Sequence, residues 1–210
     1  MGHKVSPLAF RLGYIKSWRS TGFYSRKDYA TNVSTDMQVR LHTQKFLKGI
    51  PIASIFLAHS GETITVTIYT ARIAIVLGKD DENVLALRAS LTKTFGKTFQ
   101  IEVKEVKKPE LSAALVADSI ARQIEKKMPH RRVIKNAIAR TMEKGGLGIK
   151  VIISGRVNGA EIARVETYKE GSIPSLTIRS DIDYAIERAQ TPAGTIGLKI
   201  WIYKGDVYKK

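Results

Sequence analysis

The sequence predicts an α+β protein of two small domains, and three observations carry that expectation. Apolar residues recur at helical spacing in some stretches and alternate in strand fashion in others. A charged breaker, Lys107-Lys108-Pro109, divides the chain where that texture changes. Of the 210 residues, 43% are hydrophobic, enough to bury a core in each part. The expected organisation is a basic and aromatic extension over 1–35, a first α+β domain over 36–107 and a second over 108–210. In both, helices are expected to pack on a mainly antiparallel sheet.

The elements follow in order. Residues 1–35 mix Lys4, Arg11, Lys16, Arg19, Arg26 and Lys27 with Phe10, Tyr14, Trp18, Phe23 and Tyr24 and show no sustained periodicity. Such interleaving suits RNA, cations meeting phosphates and rings stacking on bases, and equally suits an arm packed on its own protein. Residues 36–47 read as a helix and 50–57 as a strand rich in β-branched side chains. After a turn at Ser60-Gly61, residues 63–70 alternate, with Ile64, Val66 and Ile68 on one face and Thr63, Thr65 and Thr67 on the other. Residues 71–77 are short, apolar and helix-like, ending at Gly78. Asp81 stands where it can cap a helix whose Val84, Leu87 and Leu91 form an apolar face and which closes near Gly96. Residues 98–106 alternate again, with Phe99, Ile101 and Val103 together.

Beyond the breaker, 111–127 is a helix in which Leu115, Val116, Ile120 and Ile124 face one core, and Pro129 ends or kinks it. A second helix is expected over 130–144, stopped by Gly145-Gly146. Residues 149–154, 161–169 and 195–203 read as strands, separated by glycine-bearing turns. Residues 175–186 fit either period and are taken as a strand.

Charge narrows the partner. Lys and Arg outnumber Asp and Glu by 35 to 19, and a net charge of +16 implies a polyanion. No apolar run approaches the roughly 18 to 20 residues of a spanning helix, and the N-terminus lacks the apolar stretch of a signal peptide. The expectation is therefore nucleic acid and no membrane. Cysteine is absent, which removes disulfides, thiolate metal sites and cysteine nucleophiles together.

Two constellations point to nucleic acid. Gly78-Lys79-Asp80-Asp81 lies between a short helix and a longer one, after two strands and before one. That is the element order of a type II KH domain, whose glycine-bearing loop lets the backbone approach phosphates. Here Asp81 stands where a second glycine would, and with Asp80 it opposes a phosphate, so the fold is expected with its loop degenerate; the loop also reads as a plain helix cap. On the helix over 130–144, Arg131, Arg132 and Lys135 fall within an arc of about 100°, opposite Val133, Ile134, Ala137 and Ile138. Lys126 and Lys127 can extend this cationic face, which suits a sugar-phosphate backbone or is merely solvated surface.

Enzymatic signatures are missing: no GxxxxGK[ST], HExxH or GxSxG occurs. Asp181 and Asp183 could share one face of a strand and hold a cation, as in a metal-dependent nuclease, or form a turn and pair with Arg179 and Arg188. The chain is read as no enzyme, with no cofactor and no metal.

These residues also carry a family resemblance. Met1-Gly2-His3-Lys4-Val5-Ser6-Pro7 with Phe10-Arg11-Leu12-Gly13, Leu115-Val116-Ala117-Asp118-Ser119-Ile120, Arg131-Arg132 with Lys135, and Gly155-Arg156 with Gly159-Ala160-Glu161-Ile162-Ala163-Arg164 resemble bacterial-type small ribosomal subunit protein three. So do Asp181-Ile182-Asp183-Tyr184 and Gly197-Leu198-Lys199-Ile200-Trp201-Ile202, and the likeness spans essentially the whole chain. The family's typical loop is Gly-Lys-Lys-Gly, whereas this chain has Gly78-Lys79-Asp80-Asp81.

The resemblance implies a type II KH domain followed by a family-specific C-terminal domain, in a structural protein of the small-subunit head in a cytoplasmic, bacterial-type ribosome, with an organellar ribosome as the alternative. Implied partners are small-subunit ribosomal RNA, messenger RNA at the channel where it enters, and neighbouring head proteins ten and fourteen. Messenger RNA falls to Arg131, Arg132, Lys135, Lys126 and Lys127, a patch that passively assists unwinding. Ribosomal RNA falls to Gly2, His3, Lys4, Arg11, Lys16, Trp18, Arg156, Arg164 and Arg179. A stand-alone KH-type RNA-binding regulator is the alternative, and the nuclease a weaker one.

Overall fold

The computed structural model describes residues 5–61, 63–78 and 81–208. In chain order its main elements are α1 (Pro7–Phe10), β1 (Ser20–Thr21), α2 (Tyr29–Phe46), β2 (Ile52–Ser60), β3 (Thr63–Thr70), α3 (Ile73–Leu77), α4 (Glu82–Phe95) and β4 (Thr98–Glu105). They continue with α5 (Ala113–Glu125), α6 (His130–Glu143), β5 (Gly148–Gly155), β6 (Arg164–Gly171), β7 (Ser180–Thr191) and β8 (Gly194–Asp206). The chain divides into two compact units, one Trp18–Lys107, the other Met1–Ser17 with Lys108–Lys210.

In the Trp18–Lys107 unit the sheet order is β1-β2-β3-β4. Only the β2–β3 pairing is antiparallel; β4 lies parallel to β3 because α3 and α4 carry the chain across the sheet between them. The expected mainly antiparallel sheet is thus mixed here. Helix, two strands, two helices and a strand, in that order, are the type II KH arrangement. The period-two pattern of β3 holds: Ile64, Val66 and Ile68 are buried and pack with Val39, Leu57, Leu87, Leu91 and Phe99.

Helix α2 begins well before Asp36, the expected start. Its first half carries no core-facing period because Tyr29, Val33, Met37 and Leu41 form an exposed stripe at i, i+4 spacing. The start is set by polar contacts: the Ser25 hydroxyl donates to the Asp28 carboxylate at 2.5 Å, and Thr31 Oγ1 and Asn32 Nδ2 donate to the Asp28 carbonyl at 2.7 and 3.0 Å. Upstream, β1 pairs with β2, and the Leu57 N–H donates to the Arg19 carbonyl at 2.9 Å. Residues 18–35 are therefore part of this unit, where a separate extension was expected.

In the other unit the sheet order is β6-β5-β8-β7 and every pairing is antiparallel. Ile149, Val151, Ile153, Leu198, Ile200 and Ile202 alternate onto one face, each fully buried, and meet Val116, Ile120 and Ile124 of α5 and Val133, Ile134 and Ile138 of α6. Burying such side chains stabilises by about 1.5–3 kcal/mol each before conformational entropy is charged. Strand β7 starts at Ser180, later than the expected 175, and runs through polar residues to Thr191, where Pro192-Ala193 make a two-residue turn into β8.

Residues 5–17 join this unit through Arg11. Its side chain is fully buried. Nε donates to the Ser180 carbonyl at 2.5 Å, Nη1 to Pro7 at 3.0 Å, and Nη2 to Pro174, Ser175 and Thr177 at 3.3, 3.1 and 2.9 Å. Burial pushes the guanidinium pKa down and Asp181 partly offsets this. Arg11, expected to touch RNA, is instead a clamp on carbonyls of 174–180, which also explains why that stretch is not strand. Lys16, another expected RNA contact, lies 2.6 Å from Asp181 Oδ1.

Candidate nucleic-acid interface

Helix α6 is held by one side and offers the other. Val133, Ile134 and Ile138 are 2%, 0% and 5% exposed, whereas Arg131, Arg132 and Lys135 are open to solvent. Among the described residues Arg132 and Lys135 meet no carboxylate, and Arg131 only approaches Glu166 Oε1 at 4.0 Å. Uncompensated charge on a rigid face makes a positive potential that a polyanion neutralises, releasing counterions.

The turn before α6 extends this face. Lys127 has φ +60°, its N–H donates to the Ile124 carbonyl at 2.8 Å, and the Met128 N–H donates to the Gln123 carbonyl at 3.1 Å. This bond pair is a Schellman closure, in which glycine is the usual left-handed residue. Pro129 then takes the cap position before α6, so exposed Lys126 and Lys127 sit at its N-terminal end.

Behind the patch lies a polar hub centred on Glu166. Its Oε2 accepts from Tyr168 Oη at 2.6 Å and from His130 Nε2 at 2.9 Å, and its Oε1 lies 2.9 Å from Arg164 Nε. Bonds from Tyr168 and His130 hold the Glu166 carboxyl below its ordinary pKa, against a partly opposing desolvation, and burial with the Glu166 contact pushes Tyr168 up. His130 Nδ1 meets Asn158 Oδ1 at 2.9 Å. The hub ties the first residue of α6 to β6 and to the turn after β5, fixing the angle at which the cationic face is presented.

Strand register sorts the remaining candidates. Gly155 pairs with Arg164 and Ser154 with Gly197, so Arg156, Arg164, the β7–β8 turn and the start of α6 share one end of the sheet. Arg156 Nε donates to the Ala160 carbonyl at 2.8 Å and Nη1 to Ala193 at 3.3 Å, leaving Nη2 without a partner among the described residues. Arg179 lies at the opposite end with Lys16 and Arg11, its Nε 3.3 Å from Asp206 Oδ2. Ser180 and Tyr203 hydroxyls also donate to Asp206 and hold its pKa below the ordinary value. Trp18, in the other unit, is 62% exposed. Gly2, His3 and Lys4 lie outside the described residues.

In the KH-type loop, Gly78 has φ +78° and Asp81 φ +61°. Asp81 occupies the cap position of α4 but its carboxylate makes no capping bond, contrary to expectation. The cause is the left-handed backbone, since capping side chains normally act from extended backbone. Lys79 and Asp80 lie outside the described residues.

The aspartates offered as a metal pair have other work. Asp181 faces Lys16, while Asp183 Oδ2 accepts the Ala113 N–H at 3.0 Å, capping α5 across the fold, and lies 3.6 Å from Lys204 Nζ. Sequence reasoning missed both this cap and the His130 hub, because partners 70 and 36 residues apart leave no local signal. It also missed an aromatic and basic row on the sheet face away from the helices, where Lys169, Lys150, Trp201 and Tyr184 align across all four strands. Tyr184 and Trp201 rings stand 4.9 Å apart there.

A type II KH unit and a helix-on-sheet unit bearing a cationic helix define a two-domain protein of the KH class. Residues 38–111 match the KH domain family, and residues 120–202 match Ribosomal protein S3, C-terminal domain. Small ribosomal subunit protein uS3 of Shewanella frigidimarina is 47% identical over 99% of this chain and 90% of its own length. The uS3 of Buchnera aphidicola subsp. Acyrthosiphon pisum is 47% identical over 99% of this chain and 89% of its own. The chain belongs to the small ribosomal subunit protein uS3 family, which is structural and not enzymatic.

Proposed function

We propose that this chain binds ribosomal RNA in the head of the small subunit and that its α6 face lines the channel where messenger RNA enters. The observation that carries this reading is the exposed cationic face of Arg131, Arg132 and Lys135, of which only Arg131 approaches a carboxylate among the described residues, on a helix whose other side is core. Such a face holds phosphates without reading bases and can restrain separated strands passively, with no nucleotide hydrolysed. Lys126 and Lys127 prolong it, and Arg156 and Arg164 join it at the same end of the sheet. Arg179, Trp18 and the Gly2-His3-Lys4 start are assigned to ribosomal RNA on the family resemblance. Head proteins ten and fourteen are the proposed protein neighbours, and the exposed apolar stripe of α2 suits a protein surface.

Cytoplasmic ribosomes are the expected location. Sedimentation of host lysate through a magnesium-containing sucrose gradient should put the chain stoichiometrically in small-subunit and polysome fractions. Recovery only in light fractions would favour a stand-alone KH regulator.

The KH-type loop contributes little to RNA affinity in this reading, because Asp81 brings a carboxylate to where phosphate would sit. Asp81→Gly removes that charge and suits the left-handed backbone at φ +61°. RNA affinity at low salt should rise severalfold, as expected for removing one like charge worth about 1 kcal/mol near 4 Å in water. Stability should move by less than about 1 kcal/mol. An anisotropy titration showing weaker RNA binding would reverse the assignment.

A further inference from the structure

Beside the cationic face of α6 lies a pocket of about 410 Å³, between the α5–α6 turn, the turn after β5 and the β7–β8 turn. Its apolar lining includes Ile124, Val157 and Ile196, buried core residues, and the more exposed Met128 and Pro192. Lys127 and Arg156 also line it, and both are exposed. The volume falls in the range of small-ligand sites, about 300–1,000 Å³. Apolar walls with cations beside them suit a ligand that is part apolar ring and part anion.

One polar group inside is fixed in advance. Asn158, held at φ +57°, meets His130 Nδ1 through one edge of its carboxamide at 2.9 Å. His130 in turn is held through Nε2 by the Glu166 carboxylate at 2.9 Å. Whichever edge of the carboxamide faces the imidazole, the other edge has no partner among the described residues and is available to a hydrogen-bonding ring. Glu166 is tied down by Tyr168 and Arg164, so the carboxamide does not need ordering when a ligand arrives.

We infer that this pocket receives a single unpaired nucleobase of an RNA strand whose phosphates lie on Lys127 and Arg156. The inference rests on the proposed RNA-binding role of the α6 face and adds to it a contact with a base. The face alone distinguishes nothing but charge; the pocket distinguishes a splayed base from a paired or missing one. Its lining includes Lys127 and His130, at the N-terminal end of the cationic helix, so a strand tracked by the helix can turn one base inward there. Asn158 and Arg156 act here as binding residues, and His130 with Glu166 as positioning residues.

The test uses the full chain and a fluorescent single-stranded RNA of about a dozen nucleotides, compared by anisotropy with an abasic strand of equal charge. The wild-type chain should bind the base-bearing strand about tenfold more tightly, the scale of one base buried on an apolar surface. Ala193→Leu, which narrows the pocket mouth from the β7–β8 turn without adding a ring for bases to stack on, should lower the ratio severalfold without weakening abasic RNA. Asn158→Gly, compatible with the positive φ, should lower the ratio partway and serves if the Leu variant fails to fold. Equal binding of the two strands by wild type would overturn the pocket while leaving the cationic face standing. A ratio unchanged in Ala193→Leu would overturn it too. Absence of binding to either strand would remove both readings, and equally tight binding of a free nucleoside monophosphate would replace the RNA strand by a small-molecule ligand.

Discussion

Arg11→Ala should cost the unit that contains it about 3 kcal/mol or more, and should do so without RNA present. The guanidinium is fully buried and donates to the carbonyls of Ser180, Pro7, Pro174, Ser175 and Thr177. Truncation leaves those acceptors without their charged donor, and each buried unsatisfied group costs about 1–3 kcal/mol, reduced where water can reach it. Losing one partner of a buried ionic arrangement typically costs about 3–5 kcal/mol. Arg11→Lys should recover little, since one ammonium cannot span acceptors arranged around a planar fork. In urea the transition midpoint should fall by about 1–2 M at an ordinary slope. Unchanged unfolding together with weaker RNA binding would return Arg11 to the ligand-contact role that the basic N-terminal segment suggests.

Removal of the α6 charges should have the opposite profile. With Arg131, Arg132 and Lys135 all replaced by Ala, single-stranded RNA should bind on the order of 10–100-fold more weakly at low salt. The slope of log affinity against log salt should shrink by about 2, at roughly 0.7 per lost phosphate contact. Stability should stay within about 0.5 kcal/mol of wild type, because exposed charges add little. The Arg131–Glu166 distance of 4.0 Å marks a weak pair, and Glu166 keeps its bonds from Tyr168 and His130 when Arg131 goes. Titrations at several salt concentrations decide the matter: an unchanged slope would mean that these side chains do not meet phosphates.

The contrast between these variants shows how far identity carries a role. Arg11 and Arg131 are both arginines in a strongly basic chain, and composition treats them alike. Arg131 has neighbours at helical spacing that declare which way it points. Arg11 has no periodic context, and its acceptors lie 163 to 169 residues away in sequence, apart from Pro7. Arg156 and Arg164 show the same limit in milder form. Both were legible as basic, but the register of β5 with β6 and the start of α6 bring them to the end of the sheet where Lys127 stands.

Elements were legible where one side faces core. Strand β3 matches the expected 63–70, and α4, α5 and α6 agree with expectation to within a residue or two, because burial imposes a period on their sequence. The start of α2 was not legible. Its outer stripe is apolar yet exposed, so the signal that separates core from surface runs the wrong way there. The extent of β7 was hidden for a different reason: of its last five residues only Ala189 reaches the core, too little to set a period, and ladder bonds to β8 carry the strand to Thr191.

By itself the sequence determined the α+β class, the KH-type order of the first domain, the break in texture at Lys107-Lys108-Pro109, the strong positive net charge and the helical spacing of the cations along α6. Each of these follows from local spacing or summed charge, which are properties of the chain read in one dimension. Only the tertiary structure decided that Arg11 is a buried clamp, that Asp183 caps α5, that His130, Glu166 and Asn158 form one chain of bonds, and that a pocket opens beside Lys127. These depend on contacts between residues far apart in sequence, and a hydrogen bond or a cavity wall acts over a few ångströms of space whatever the separation along the backbone.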